Sequence, residues 1–214
     1  MAVRHDVRTI FLSDVHLGTR DCHAELLLDF LRSSRCDVLY LVGDIIDLES
    51  LRRGVYWPPA HTEVLRLILS KSQEGTRVVY IPGNHDDALR ALAGYRFGNI
   101  EIADKLVHTT RTGRRLLVLH GDEFDGVIRV NALSQALGLV AFEALLAINR
   151  CAHALHAWLK RPYWSLAQHV KMRVGGAVRY IERFQQASLD AAAAAGVDGI
   201  VCGHIHCADL FERD

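Results

Sequence analysis

The chain lacks the features of a nucleic-acid-binding protein, of a disulfide-rich protein and of a secreted one. Its 214 residues carry 25 acidic and 25 basic side chains, so no net charge attracts a polyanion and no nucleic-acid partner is expected. The five cysteines are odd in number and dispersed, with no Cys-x-x-Cys pair, which indicates free thiols. No repeat, low-complexity tract or linker interrupts the sequence. Half of its residues are hydrophobic, which is enough for one sizeable core.

The first residues also lack an apolar segment of the kind that begins a signal peptide. Charged side chains occur throughout residues 1–6, and these run directly into a strand-like segment. We therefore expect a cytoplasmic protein.

Short apolar runs, several of them rich in β-branched residues, predict buried strands. These runs are Thr9–Leu12, Asp37–Val42, Val78–Ile81, Leu116–Leu119 and Gly199–Cys202. Amphipathic stretches at Ala24–Leu31 and Glu63–Ser72 lie between the first three runs, and their apolar spacing predicts helices. The order β-α-β-α-β predicts a largely parallel sheet. Residues 100–110 and 114–119 flank a short loop containing Gly113, which is typical of a hairpin.

Polar residues that can bind metal follow each predicted strand. The clusters are Asp14-Val-His16, Gly43-Asp44-Ile-Ile-Asp47, Gly83-Asn84-His85-Asp86, His120-Gly121-Asp122 and Gly203-His204-Ile-His206. One such cluster alone is weak evidence, but loops at the carboxyl ends of strands converge in α/β sheets, so all five should meet. Aspartate, asparagine and histidine without cysteine favour Mn²⁺, Fe or Zn²⁺ in a site of oxygen and nitrogen ligands.

This ordered set of blocks resembles the calcineurin-like metallophosphoesterase family, and the resemblance spans the chain. It implies an α/β fold, a four-layer α/β/β/α sandwich, and hydrolysis of phosphoester bonds by a metal-bound hydroxide. It also implies two divalent metal ions, most simply Mn²⁺, with Fe or Zn²⁺ as alternatives. The implied ligands are Asp14, His16 and His206 for the first ion, Asn84, His120 and His204 for the second, and Asp44 as a bridge.

The same resemblance gives His85 and Asp86 a catalytic role. It implies that His85 faces the phosphate as an electrostatic stabiliser or proton donor, and that Asp86 orients its ring. A His–Asp pair keeps imidazolium populated near neutral pH, as a general acid requires. Helix capping is the alternative for Asp86 and Asp87, and we favour it for Asp87.

The segment 126–186 is longer than a connection needs and predicts a helical insertion, or cap, on a core made of 1–125 and 187–214. Within it, Leu133–Ile148 is apolar almost all round. It is either a core helix or a cap surface that touches acyl chains or a membrane. Glu143 and the polar flanks exclude a transmembrane helix.

Four further residues are candidates for substrate contact. Lys171 and Arg173 lie in a predicted basic helix, Ser165–Phe184, and could meet a phosphate, although a solvated helix face is the alternative. Asp122 and Asp125 follow His120 and are candidates for binding sugar hydroxyls.

The insertion before the last block makes the architecture similar to that of the bacterial UDP-2,3-diacylglucosamine hydrolases of lipid A synthesis. This similarity implies a lipid-linked nucleotide substrate, release of UMP, and contact with the inner face of the membrane. The best-known members have arginine where this chain has His85, so a soluble phosphoester substrate is the alternative. Only Cys207–Asp214 follow the last block, so we expect the C-terminal strands of the sandwich to be missing. A metal-binding protein without turnover is the third hypothesis.

Overall fold

The computed structural model of the chain describes residues 5–126 and 175–212. They belong to two compact units, Met1–Asp122 with Ala191–His206, and Glu123–Asp190 with Cys207–Asp214. The expected division into a core and an insertion at 126–186 stays a prediction. Most of that insertion, including the apolar stretch 133–148, lies outside the described residues.

The first unit contains a five-stranded sheet in the order β1-β2-β3-β5-β4. Its strands are β1 (His5–Leu12), β2 (Ser34–Val42), β3 (Arg77–Ile81), β4 (Arg96–Phe97) and β5 (Ile100–Ile102). Strands β1, β2, β3 and β5 run parallel, whereas β4 pairs antiparallel with β5 at the edge. The predicted parallel sheet is therefore confirmed. The carboxyl ends of β1, β2 and β3 lie side by side, because Leu12 is opposite Leu41 and Val42 is opposite Ile81.

Both faces of this sheet are buried, as alternate residues of β2 show. Leu39 and Leu41 pack in a core with the helices α1 (Ala24–Ser33) and α3 (Pro59–Gln73). Tyr40 and Val42 pack in a second core that includes Val118 of the smaller sheet. A strand buried on both faces reads as a continuous apolar run, which is why the sequence pattern located these strands.

The smaller sheet has the order β6-β7-β8, with β6 (Leu106–Thr109), β7 (Arg115–Val118) and β8 (Gly199–Val201). β6 and β7 form the predicted antiparallel hairpin, and β8 runs parallel to β7. The predicted flank of the hairpin at 100–110 contains two strands, β5 and β6, and contributes to both sheets. Ile102 packs in the helix-facing core and Leu106 in the core between the sheets, so the chain changes sheet between them.

The remaining elements are helical. They are α2 (Leu48–Arg53), α4 (Gly175–Ala194) and two 3₁₀ helices, Asp87–Leu92 and Asp122–Gly126. The predicted basic helix overlaps the start of α4, but Lys171 and Arg173 lie outside the described residues. Across 5–126 and 175–212, no helix is both long enough and apolar enough to cross a membrane.

Candidate metal centre

The polar clusters that follow the strands form three groups of potential metal ligands among the described residues. One of them, His16, Asp47 and His85, shares His16 with another group, and the remaining two have no residue in common. The first contains Asp14 and His16 after β1 with His206 after β8, and the second contains Asp44 after β2, His120 after β7 and His204 after β8. Within each group, one ligand atom from each residue lies within 4.8 Å of the others. We call these the first group and the second group.

Asp44 lies between the two groups. Its Oδ2 atom is 3.8 Å from Nε2 of His16 and 3.4 Å from Nε2 of His120. Its other oxygen, Oδ1, accepts the backbone N–H of His85 at 2.9 Å. Burial raises the pKa of the Asp44 carboxyl, but His120 and the His85 N–H outweigh it and lower that pKa to about 2. An ionised oxygen thus faces one histidine of each group.

The first group brings several ligand atoms into one small volume. The Nε2 atoms of His16 and His206 lie 3.2 Å apart, and Asp14 Oδ1 is 3.5 Å from the same His206 nitrogen. Nδ1 of His16 donates to Asp47 Oδ2 at 3.0 Å, which fixes the ring. Burial lowers the pKa of His16, yet Asp47, Asp44 and Asp14 together raise it above its ordinary value. A divalent cation would satisfy these converging nitrogen and oxygen atoms.

The second group is built around a buried histidine. Nδ1 of His120 donates to the carbonyl of Val42 at 3.2 Å, so the neutral ring carries its lone pair on Nε2. Among the described residues, that buried Nε2 has no hydrogen-bond partner. Burial lowers the pKa of His120, but the Asp44 carboxylate outweighs it and raises the pKa. A buried nitrogen lone pair facing a carboxylate fits a metal ligand of the oxygen and nitrogen type.

Three glycines make room for the ligand side chains: Gly43, Gly203 and Gly83, where a Cβ atom would clash with Asp44 and His120. At Gly43, with φ of +75°, a Cβ atom would lie 2.0 Å from Nδ1 of His120. At Gly203, a Cβ atom would lie 2.5 Å from Oδ2 of Asp14. Any side chain at these positions would displace a candidate ligand. Glycine is therefore required, because the ligand side chains approach the backbone too closely for a Cβ atom.

The ligand backbones adopt an uncommon conformation. In the part of the chain that the structure describes, five non-glycine residues have positive φ, and all five belong to the two groups: Asp14, His16, Asp44, His204 and His206. This left-handed region costs roughly 1–2 kcal/mol for an L-residue, although aspartate and histidine tolerate it better than most. Backbone strain of this kind concentrates at functional sites.

The carboxylate beside His85 is Asp47, and the predicted contact with Asp86 is wrong. Nδ1 of His85 lies 3.0 Å from Asp47 Oδ2, the same oxygen that contacts His16. Asp47 also accepts the Ser50 N–H at 2.6 Å and caps α2. Burial raises the pKa of Asp47, but these hydrogen bonds lower it well below its usual range. Sequence reasoning missed this role, although Asp47 stands three residues after Asp44 in a cluster it identified.

Asp86 is fully buried and turned away from His85. It accepts hydrogen bonds from the Tyr80 hydroxyl and from backbone N–H groups of Gly83, Asp44, Ile45 and Ile46. A mechanism that places Asp86 on the ring of His85 is therefore excluded by the positions of its oxygens.

The other predicted site residues differ in their exposure and in their hydrogen-bond partners. Asn84 is exposed in the turn after β3, and its metal contact stays a prediction. Both oxygens of Asp122 accept from Arg90 Nη2, at 2.8 and 2.7 Å. Asp125 accepts from the Tyr180 hydroxyl at 2.6 Å. These bonds occupy the two aspartates that were expected to bind sugar hydroxyls, a role that stays a prediction.

The buried histidine His61 holds the loop that follows His16 of the first group. Nδ1 of His61 accepts the backbone N–H of Gly18 at 3.0 Å, and the ring is almost fully buried. Burial lowers the pKa of His61, so the ring is neutral and able to accept at neutral pH.

Known proteins match the chain in three comparisons. A UDP-2,3-diacylglucosamine hydrolase of Photorhabdus laumondii subsp. laumondii is 30% identical over 123 residues, covering 53% of this chain and 48% of that protein. One from Aeromonas hydrophila subsp. hydrophila is 30% identical over the same length and is 47% covered. The chain therefore spans about half the length of the curated relatives it matches. A crystal structure of Pseudomonas putida nuclease MPE is 21% identical, with 46% of this chain and 48% of that chain covered and a TM-score of 0.29.

The family comparison covers almost the whole chain. The model for calcineurin-like phosphoesterases matches residues 7–208, a range that contains every residue of the two ligand groups. The chain belongs to the calcineurin-like phosphoesterase family.

Proposed function

We propose that this chain is a hydrolase of phosphoester or pyrophosphate bonds that uses two divalent cations. The observation that carries the proposal is the position of Asp44 Oδ2, which lies 3.8 Å from the His16 nitrogen and 3.4 Å from the His120 nitrogen. Asp14, His16 and His206 would hold one cation, and Asn84, His120 and His204 the other. Asp44 would be shared.

The donor set supports Mn²⁺ as the resident ion, with Fe or Zn²⁺ as alternatives, because it combines oxygen and nitrogen ligands without thiolates. Two such cations supply Lewis acidity to the phosphoryl oxygens and acidify a water molecule. The protein's own contribution is to keep the ligands ordered and the shared carboxylate deprotonated. The low pKa of Asp44, about 2, keeps its carboxylate ionised across the physiological range.

We assign proton delivery to His85, with Asp47 as its partner. Asp47 Oδ2 lies 3.0 Å from His85 Nδ1, so this carboxylate would orient the ring. The proton on the other nitrogen, Nε2, would go to the leaving oxygen. Because Asp47 also contacts His16 at 3.0 Å, one carboxylate would position both a metal ligand and a proton donor.

The proposed substrate is UDP-2,3-diacylglucosamine or a related lipid-linked nucleotide. Support comes from the relatives named UDP-2,3-diacylglucosamine hydrolase and from the apolar stretch in the predicted insertion. On this proposal the protein works in the cytoplasm at the inner face of the membrane. His85, where the best-known members have arginine, favours a soluble phosphodiester or phosphomonoester as the second candidate.

The test measures Mn²⁺-dependent release of UMP from UDP-2,3-diacylglucosamine, beside hydrolysis of bis(p-nitrophenyl) phosphate and a panel of soluble phosphoesters. The matched control is Asp44→Asn, which keeps the side-chain shape but removes the charge. We expect UMP release that this variant abolishes. Preference for the soluble panel would reject the lipid-linked substrate. Binding of Mn²⁺ without turnover of any substrate would reject the enzyme in favour of a metal-binding protein.

A further inference from the structure

One buried carboxylate links the two loops that carry the shared ligand and the proposed proton donor. Asp86 is 0% exposed, and its Oδ2 accepts the Ile45 N–H at 2.9 Å and the Tyr80 hydroxyl at 2.6 Å. Its Oδ1 accepts the N–H groups of Gly83 at 2.5 Å and Asp44 at 3.3 Å. A carboxylate offers about four acceptor sites, and all are used.

The cross-link between the loops runs in both directions. Asp86, from the loop after β3, accepts backbone N–H groups of the loop after β2. In return, Asp44 accepts the N–H of His85 at 2.9 Å. The His85 carbonyl accepts the Leu48 N–H at 3.1 Å, in the same direction as the Asp86 bonds. The two loops therefore cannot shift past one another without breaking several bonds at once.

The orientation of the Asp44 side chain depends on this arrangement. Asp44 has φ of +54°, and the N–H groups of Asp44 and Ile45 both point at Asp86. With Oδ1 occupied by His85, only Oδ2 remains to face His16 and His120. A convergent set of backbone N–H groups binds a negative charge strongly, so a buried carboxylate suits this place better than a neutral group.

We propose that Asp86, with the Tyr80 hydroxyl, is a positioning residue that holds Asp44 and His85 in the geometry of the metal centre. It acts through these two residues and not by contact with metal or phosphate. The proposal rests on the proposed function for its catalytic meaning, but its structural content concerns the two loops alone.

The test compares Asp86→Asn and Tyr80→Phe with the control Ile81→Val. Asparagine keeps the shape but turns an NH₂ group towards backbone donors, whereas phenylalanine removes only the Tyr80 hydroxyl. Ile81 is fully buried in the same strand as Tyr80, so its truncation destabilises the same region without touching Asp86. Titration calorimetry of chelator-treated protein with Mn²⁺ gives the metal affinity, and amide hydrogen exchange gives the local opening of residues 43–48 and 83–86.

We expect Asp86→Asn to weaken Mn²⁺ binding about 10–100-fold, as for other residues that orient metal ligands, and Tyr80→Phe to weaken it less. The turnover rate should recover at saturating Mn²⁺, which the loss of a group that takes part in the reaction would not allow, and Ile81→Val measures how much of the effect general destabilisation explains. Amide exchange in residues 43–48 and 83–86 should accelerate more in Asp86→Asn than in Ile81→Val. Mn²⁺ affinity in both variants equal to that of Ile81→Val would overturn the proposal.

The outcome remains decisive if the proposed function fails. If the wild-type protein binds Mn²⁺ but hydrolyses nothing, affinity and exchange still test the role of Asp86. If it binds no Mn²⁺, exchange alone decides: unchanged protection of residues 43–48 in Asp86→Asn refutes the positioning role. If Asp86→Asn does not fold, the same two measurements on Tyr80→Phe decide, with Ile81→Val as the reference.

Discussion

The two ligand groups differ in how deeply they are buried and in what holds them. His206 of the first group has a side chain that is 46% exposed, whereas the His120 side chain in the second group is 1% exposed. The first group is oriented by Asp47 and supported by His61, both outside the sheets. The second is anchored on the sheet itself, through the Val42 carbonyl. The second group is thus part of the core. The first group is more exposed, at His206, and is supported by polar contacts.

Asp44 faces both groups, so its removal should affect the first and the second group alike. We expect Asp44→Ala to lose both metal ions and all measurable turnover. Metal content by mass spectrometry and Mn²⁺-dependent hydrolysis of bis(p-nitrophenyl) phosphate check this. Retention of two ions per chain would show that the carboxylate is not shared.

His85 packs edge-on against His16, with ring centroids 4.8 Å apart, but we assign it proton delivery and not metal binding, so its loss should lower the rate without removing the metal. His85→Ala is expected to keep both ions and to lower the turnover rate about 10²–10⁴-fold, as for removal of a general acid. Metal content measured beside the rate distinguishes the two effects. Loss of an ion in this variant would place His85 among the ligands.

The difference in burial predicts different costs for removing a histidine in metal-free protein. His120→Ala leaves a cavity and an unpaired Val42 carbonyl, so we expect about 3 kcal/mol of lost stability. His206→Ala, at a half-exposed position, should stay within about 0.5 kcal/mol. Urea unfolding in the presence of a chelator measures both. Equal costs would contradict the contrast between the groups.

Asp47→Asn should weaken the first group selectively. The amide has one acceptor oxygen, so it cannot accept from both His16 and the Ser50 N–H, which bond different oxygens of Asp47, and affinity for the ion at the first group should fall about 10–100-fold. Titration calorimetry with Mn²⁺ should resolve one weakened and one unchanged event. An equal loss of Mn²⁺ affinity at both binding events would mean that Asp47 supports both groups and not the first alone.

The smallest expected effect is a pH dependence at His61. Its pKa is lowered by burial, so its contribution to stability is present above about pH 6.5, the ordinary value, and is lost as the pH falls below it. His61→Phe leaves the Gly18 N–H unpaired and should cost about 1 kcal/mol at pH 7.5. Urea unfolding at pH 7.5 and 5.5 should show this difference shrinking in acid. A cost that grows as the pH falls would contradict the neutral ring.

The sequence predicted the strands and the ligand clusters because both follow from local pattern. Strands buried on both faces give apolar runs, and each run is followed by residues of the types that can bind metal. Hydrogen-bond partners did not follow from pattern, because they depend on how two loops meet. Asp86 stands beside His85 in sequence, yet Asp47, thirty-eight positions earlier, is the residue that contacts it. The change of sheet between β5 and β6 likewise depends on packing, since Ile102 joins the helix-facing core and Leu106 joins the core between the sheets.

The left-handed backbone at five ligands has a consequence for how the protein tolerates substitution. At Asp14, His16, Asp44, His204 and His206, a β-branched replacement would meet a steric penalty before any question of chemistry arose. These positions are therefore restricted twice, once by what the side chain can bind and once by what the main chain can accept. Asparagine adopts the left-handed conformation more readily than most residues but binds a cation more weakly than aspartate or histidine. It is therefore the most conservative substitution for testing metal binding at each position.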